Sequence, residues 1–187
     1  MGPGVPLRGE RLRTSAGRLL NFGAFYLGWF ACVGGVAGGR PYLGPLVVGV
    51  LLAIHLSLSR HRRREALLIL CVGTIGFAID TASAWGRLYS FVTEPGAVVC
   101  PPWLTALWMN FASTLNASLS WLAGRYALAA ALSAAAGPLS YLAAMRFGVI
   151  EFPDTFRSLA VLAAIWAVTT PGLLCLAAAL VPRPRPR

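Results

Sequence analysis

Charged side chains are scarce in this sequence, and those present are lopsided in sign. Only 12% of the 187 residues are charged, while 57% are apolar; a soluble domain usually carries about twice that charged share. With a mean hydropathy of +0.69, the balance excludes an ordinary soluble domain and places the chain in the membrane class. The length leaves no room for a separate soluble domain beside a membrane one. Lysine is absent: all sixteen basic residues are arginine, against six acids, for a net charge of +10. Such an excess invites a nucleic-acid reading, but the arginines sit in short clusters between apolar runs. A membrane protein stores its topology signal there and meets anionic headgroups there. No nucleic-acid partner is therefore expected.

Motifs that carry chemistry are missing as well. The four cysteines, Cys32, Cys71, Cys100 and Cys175, form no CxxC pair. Three fall in apolar runs, where Cys acts as a small packing residue, and Cys100 sits alone in a loop. No disulfide framework and no thiolate metal site is expected. HExxH, a nucleophile elbow, a phosphate-binding glycine loop and a histidine cluster are all absent, so neither a metal nor a cofactor is implied.

What the sequence does contain is a series of apolar runs. Residues 1–18 are rich in Gly, Pro and Arg and read as a basic cytoplasmic tail. Six helices follow at about 19–38, 43–59, 66–86, 103–123, 126–148 and 158–181, and residues 182–187 form an Arg/Pro tail of polyproline character. Asn21, Tyr26 and Trp29 break up the first run and no clean cleavage site follows, so it reads as a retained helix rather than a signal peptide. Gly124-Arg125 makes a very short turn, which predicts an antiparallel hairpin of the fourth and fifth helices. Gly137-Pro138 predicts a bend in the fifth helix, and Thr169-Thr170-Pro171-Gly172 an interruption of the sixth.

With the amino terminus inside, twelve arginines fall on inner segments and four (Arg40, Arg87, Arg146, Arg157) on outer loops. That asymmetry fits the positive-inside rule. The expected fold is thus all-α: a polytopic bundle of six transmembrane helices with both termini cytoplasmic, in a bacterial inner membrane.

The fourth helix organises the rest. At about 100° per residue, Asn110, Ser113, Thr114, Ala117, Ser120 and Trp121 gather on one face, with Asn116 at its edge. Lipid tails offer no hydrogen-bond partner, so this stripe faces inward and the other helices pack around it. Asp80 is the only acid inside an apolar span. A carboxylate there faces the bundle and either finds donors or stays protonated. Asp80 and Asn110 both lie roughly 10 Å below the outer surface, which predicts that they meet. His55 lies near the inner end of the second helix, too far from Asp80 for a catalytic dyad, and reads as core. Trp85 and Trp103 read as outer belt anchors. Trp108, Trp121 and Trp166 are placed in the bundle, where an aromatic-lined lipid pocket is one option. The candidate binding or buried polar residues are Asn21, Asp80, Asn110, Thr114 and Asn116.

The runs NFGAFYLGWFACVGG, GRPYLGPLVV, GFAID, PPWLTALWMNFASTLNASLSWL and GPLSYLAAMRFG resemble an uncharacterised bacterial family of small inner-membrane proteins, domain-of-unknown-function family 2878. The resemblance spans about Asn21 to Phe152, and its most specific pieces are Gly28 to Cys32 and Thr114-Leu115-Asn116. Tyr26 and Ser113 depart from the family pattern, in which those positions are often Gln and Thr. The resemblance implies no activity. It does imply an association with genes for cyclopropane-fatty-acid-synthase-like and other lipid-modifying enzymes. The leading expectation is a non-enzymatic protein that binds membrane lipids or supports a lipid-modifying partner. The alternatives are a small proton-linked transporter using Asp80 and an intramembrane lipid-modifying enzyme.

Overall fold

The computed structural model describes residues 15–94 and 96–181. Most of the expected basic tail, with Arg8, Arg11 and Arg13, and the whole Arg/Pro tail lie outside the described residues. Six helices run in order: α1 Ser15–Ala37, α2 Leu43–Leu58, α3 Arg62–Trp85, α4 Pro102–Leu115, α5 Tyr126–Arg146 and α6 Thr155–Leu180. α1, α3, α5 and α6 are each long and apolar enough to cross a membrane. α2 has 16 residues and α4 has 14, about 24 and 21 Å of rise against a hydrocarbon core of about 30 Å.

Apolar side chains face outward as well as inward, and several polar ones are enclosed. Leu19, Leu20, Leu46, Val50, Phe156 and Val168 face outward, while Asp80, Asn110, Ser113, Thr114 and Ser158 are buried. Apolar residues outside and hydrogen-bonding residues inside are what a lipid solvent selects, since the backbone and every polar side chain must be satisfied within the bundle. α4 is the hub, packed against α1, α2, α3 and α6.

Four features differ from the sequence expectation. α4 stops at Leu115 rather than near residue 123, and the chain continues through turns to a short 3-10 turn at Ser120–Leu122. Asn116, Ser118 and Ser120 bond to side chains or nearby carbonyls instead of extending the helix, as short polar side chains tend to do. Because residues 116–125 lead the chain aside, α5 takes α6 and not α4 as its main partner. α6, expected to be interrupted, runs unbroken through Pro171. Trp103, expected at the interface, is only 2% exposed and packs edge-on against Phe91; Trp121, expected inside, is 43% exposed.

The cover over one end of the bundle explains Trp103. The α3–α4 and α5–α6 loops meet in a two-stranded antiparallel ribbon, β1 Ser90–Phe91 and β2 Ile150–Glu151, with Ser90 opposite Glu151. Leu88, Tyr89, Phe91, Cys100, Val149, Ile150 and Phe152 are buried beneath it. The Ser158 hydroxyl donates to the Leu88 carbonyl, and the Cys100 amide donates to Thr81 Oγ1 at 3.1 Å. Asp154 caps α6 by accepting from the Arg157 amide at 3.0 Å. The loops are thereby fastened to α3 and α6 as a lid.

Candidate functional site

Asp80 lies under that lid and is 0% exposed. Three donors from three parts of the chain converge on it. Tyr89 Oη, from the lid, donates to Oδ1 at 2.7 Å, and Tyr141 Oη, from α5, donates to the same oxygen at 2.6 Å. Trp108 Nε1, from α4, donates to Oδ2 at 2.6 Å. Burial, followed by the neighbouring Tyr141 and Asp80, pushes the Tyr89 phenol well above its ordinary value, so it stays a donor. Burial likewise pushes the nearby Cys100 thiol up to about 12, which makes it a packing group rather than a nucleophile.

Small residues make room for this arrangement. A β-carbon at Gly76 would overlap the Trp108 ring, and one at Gly137 would overlap Trp166. Those two indoles stack at 4.8 Å with planes 7° apart, so α3, α4, α5 and α6 meet around one aromatic pair.

Asn110, the expected partner of Asp80, is not one of its donors. Its Nδ2 donates to the Phe25 carbonyl of α1 at 2.9 Å. Trp108 and Asn110 are about 200° apart around α4, so the helix turns the indole toward Asp80 and the amide toward α1. α4 thus meets Asp80 through Trp108, two residues before Asn110.

The other candidates gather at the opposite end of α4. Asn21 Oδ1 accepts from the Ser118 amide at 3.2 Å and from Ser118 Oγ at 2.7 Å, and its Nδ2 donates to the Ser113 carbonyl at 3.3 Å. Asn21 thus holds the chain just after α4 unwinds. Thr114 Oγ1 bonds its own helix at the Phe111 carbonyl, 2.6 Å away. Asn116 Nδ2 donates to Glu65 Oε1 at 3.3 Å, and Glu65 Oε2 lies 3.7 Å from His55 Nε2. The five candidates therefore divide between two places. Asp80 belongs to one; Asn21, Thr114 and Asn116 belong to the other, with Asn110 between them.

Sequence reading missed Tyr89, Trp108 and Tyr141 as partners of Asp80, and Glu65 with His55 as a buried pair. A signal for Glu65 existed. Once α3 is started at Arg62, Glu65 falls on the face of Leu68, Ile69, Val72 and Gly76, all buried. Tyr89 and Tyr141 gave none, since only the folded lid and the α5 packing bring them to Asp80.

Tyr141 also lines a small cleft between α1, α4 and α5. Trp29, Val33, Trp103, Leu107, Tyr141 and Ala144 line it almost entirely with apolar atoms. Trp29 Nε1 donates to Ser140 Oγ at 2.9 Å, which ties α1 to α5 across its edge. Among the described residues, no group of three His, Cys, Asp or Glu stands where it would hold a metal ion.

The family model described as "Protein of unknown function (DUF2878)" matches residues 18–172, and the chain belongs to that family. No curated protein matches the chain, and no solved structure does.

Proposed function

We propose that this member of the DUF2878 family is a six-span protein of the bacterial inner membrane with both ends of its helical domain cytoplasmic. In this reading it is not an enzyme: it binds a membrane lipid, or presents one to a lipid-modifying partner. The arginine asymmetry supports the orientation. The short α2 and α4 complete the set of spans by local thinning of the bilayer and by the lid over α4. The observation that carries the lipid reading is the α1/α4/α5 cleft, a small recess lined by apolar and aromatic side chains between three apolar helices. At about 20 Å³ it has room for roughly one water, so an acyl chain would enter only as α1 and α5 part; the apolar lining is what favours a chain over a polar solute.

The same geometry weighs against the alternatives. A proton carrier must exchange with water, and Asp80 is fully enclosed with three donors in place. An enzyme of the Asp80 site would need a substrate to reach it, and Asp80, Tyr89 and Tyr141 are all buried beneath the lid.

Native mass spectrometry of the protein, extracted gently from its own membranes, tests the reading. A stoichiometric lipid is expected, retained by wild type and lost when Leu107→Trp or Ala144→Phe fills the cleft. A bare protein, or equal retention in the filled variants, would overturn it.

A further inference from the structure

The strongest unused feature is the buried pair at the other end of α3. His55 and Glu65 are both more than nine-tenths buried, and His55 Nδ1, His55 Nε2 and Glu65 Oε2 have no hydrogen-bond partner. Leaving a buried polar atom unpaired costs about 1–3 kcal/mol, more for a charged group, so three in one place call for an occupant. Their 3.7 Å separation is too long for a direct hydrogen bond. A donor about 2.9 Å from each would hold them at an angle of about 80°, narrower than tetrahedral, so an occupant bonds both only as the pair parts slightly.

The electrostatics select the occupant's charge. Glu65 supplies a carboxylate whose Oε1 is fixed by Asn116. α4 ends at Leu115, next to Asn116, so its negative pole lies near Glu65. The end of α2 is already met by Arg62, whose guanidinium donates to the Ser57 carbonyl at 3.1 Å, and Glu65 itself stands in the first turn of α3, at that helix's positive pole. The unpaired carboxyl oxygen, the imidazole and the end of α4 favour a small cation that donates hydrogen bonds. With no third ligand among the described residues for a metal, that cation is a primary ammonium. Arg62, Arg63 and Arg64 stand exposed in the turn just before Glu65, placed for an adjoining phosphate.

We propose that His55 and Glu65 receive the ammonium of a phosphoethanolamine headgroup, with the Arg62–Arg64 turn holding its phosphate. The inference goes beyond the α1/α4/α5 cleft, which lies at the other end of α4, and stands whether or not that cleft holds a lipid. The full chain in nanodiscs of matched acyl chains, carrying ethanolamine, N-methyl, N,N-dimethyl or choline headgroups, provides the test. Native mass spectrometry is expected to show retention falling as N–H donors are removed, with ethanolamine held about tenfold over choline. Glu65→Gln is expected to abolish that preference. Should Glu65→Gln fail to fold, the wild-type headgroup series decides alone. Equal retention of all four headgroups would overturn the proposal and leave His55 and Glu65 as an internal ion pair. Methylammonium chloride added to choline-headgroup nanodiscs separates the two sources of an ammonium: a rise in Tm equal to that given by the ethanolamine lipid would overturn the lipid source and assign the site to a soluble amine.

Discussion

Asp80 and Glu65 stand on one face of α3, about 22 Å apart along the helix, and both are buried. Asp80 is met by Tyr89, Tyr141 and Trp108 and has no unpaired atom, whereas Glu65 holds Asn116 on one oxygen and leaves the other unpaired beside His55. Around Asp80 the helices are capped by a lid; around Glu65 two helices end and α4 unwinds. A buried carboxylate is costly unless paired and hydrogen-bonded. The first therefore works as a clamp that gathers α3, α4, α5 and the lid. The second, incompletely satisfied, is where a ligand gains the most.

The comparison breaks most visibly at Asp80. Replacing it with Ala strands three buried donors, and the expected loss is at least about 3 kcal/mol, read by denaturant unfolding in nanodiscs. A near-neutral result would mean that the three donors find other partners. Next in size is Gly76→Val, which drives a side chain into the Trp108 ring. Overpacking of this kind costs about 1–3 kcal/mol, and fluorescence should report a displaced Trp108–Trp166 stack. Wild-type stability and spectrum would show that α3 and α4 can separate freely.

Tyr89→Phe and Tyr141→Phe sharpen the picture within the clamp. Each is expected to cost about 1 kcal/mol. Because both phenols donate to Oδ1, the double variant should depart from additivity, while strict additivity would argue that they act separately.

The smallest effect is one of pH. Cys100 rises from 9.0 to about 12 in the fold. Its contribution is thus fully present below pH 9 and is lost as pH rises toward 12, because the unfolded thiol ionises first. Tyr89 shifts in the same direction. Stability should fall through this alkaline window, and Cys100→Ala should flatten part of the fall. An unchanged slope would place the loss elsewhere.

Much of this was legible from composition and spacing. The apolar runs located all six helices, and the polar stripe singled out α4 as the hub. Asp80 faced inward as an isolated acid in lipid must. The rest depended on contacts between distant parts of the chain. Tyr141 lies 61 residues from Asp80, and Tyr89 reaches it only because the β1–β2 ribbon folds the loop back. Hydropathy also continued α4 past Leu115, since it counts Asn116, Ser118 and Ser120 as mild interruptions and does not register their competition for backbone hydrogen bonds. Glu65 was hidden by its neighbours: next to three arginines it read as part of a solvated loop, although α3 already includes them.

The most direct test compares Asp80→Asn and Glu65→Gln side by side in ethanolamine-containing nanodiscs, measuring unfolding stability and retained lipid on the same samples. The account predicts that Asp80→Asn lowers stability while the folded fraction keeps its headgroup preference, and that Glu65→Gln loses the preference with the smaller change in stability. The reverse pattern, with lipid lost at Asp80 and only stability lost at Glu65, would contradict it.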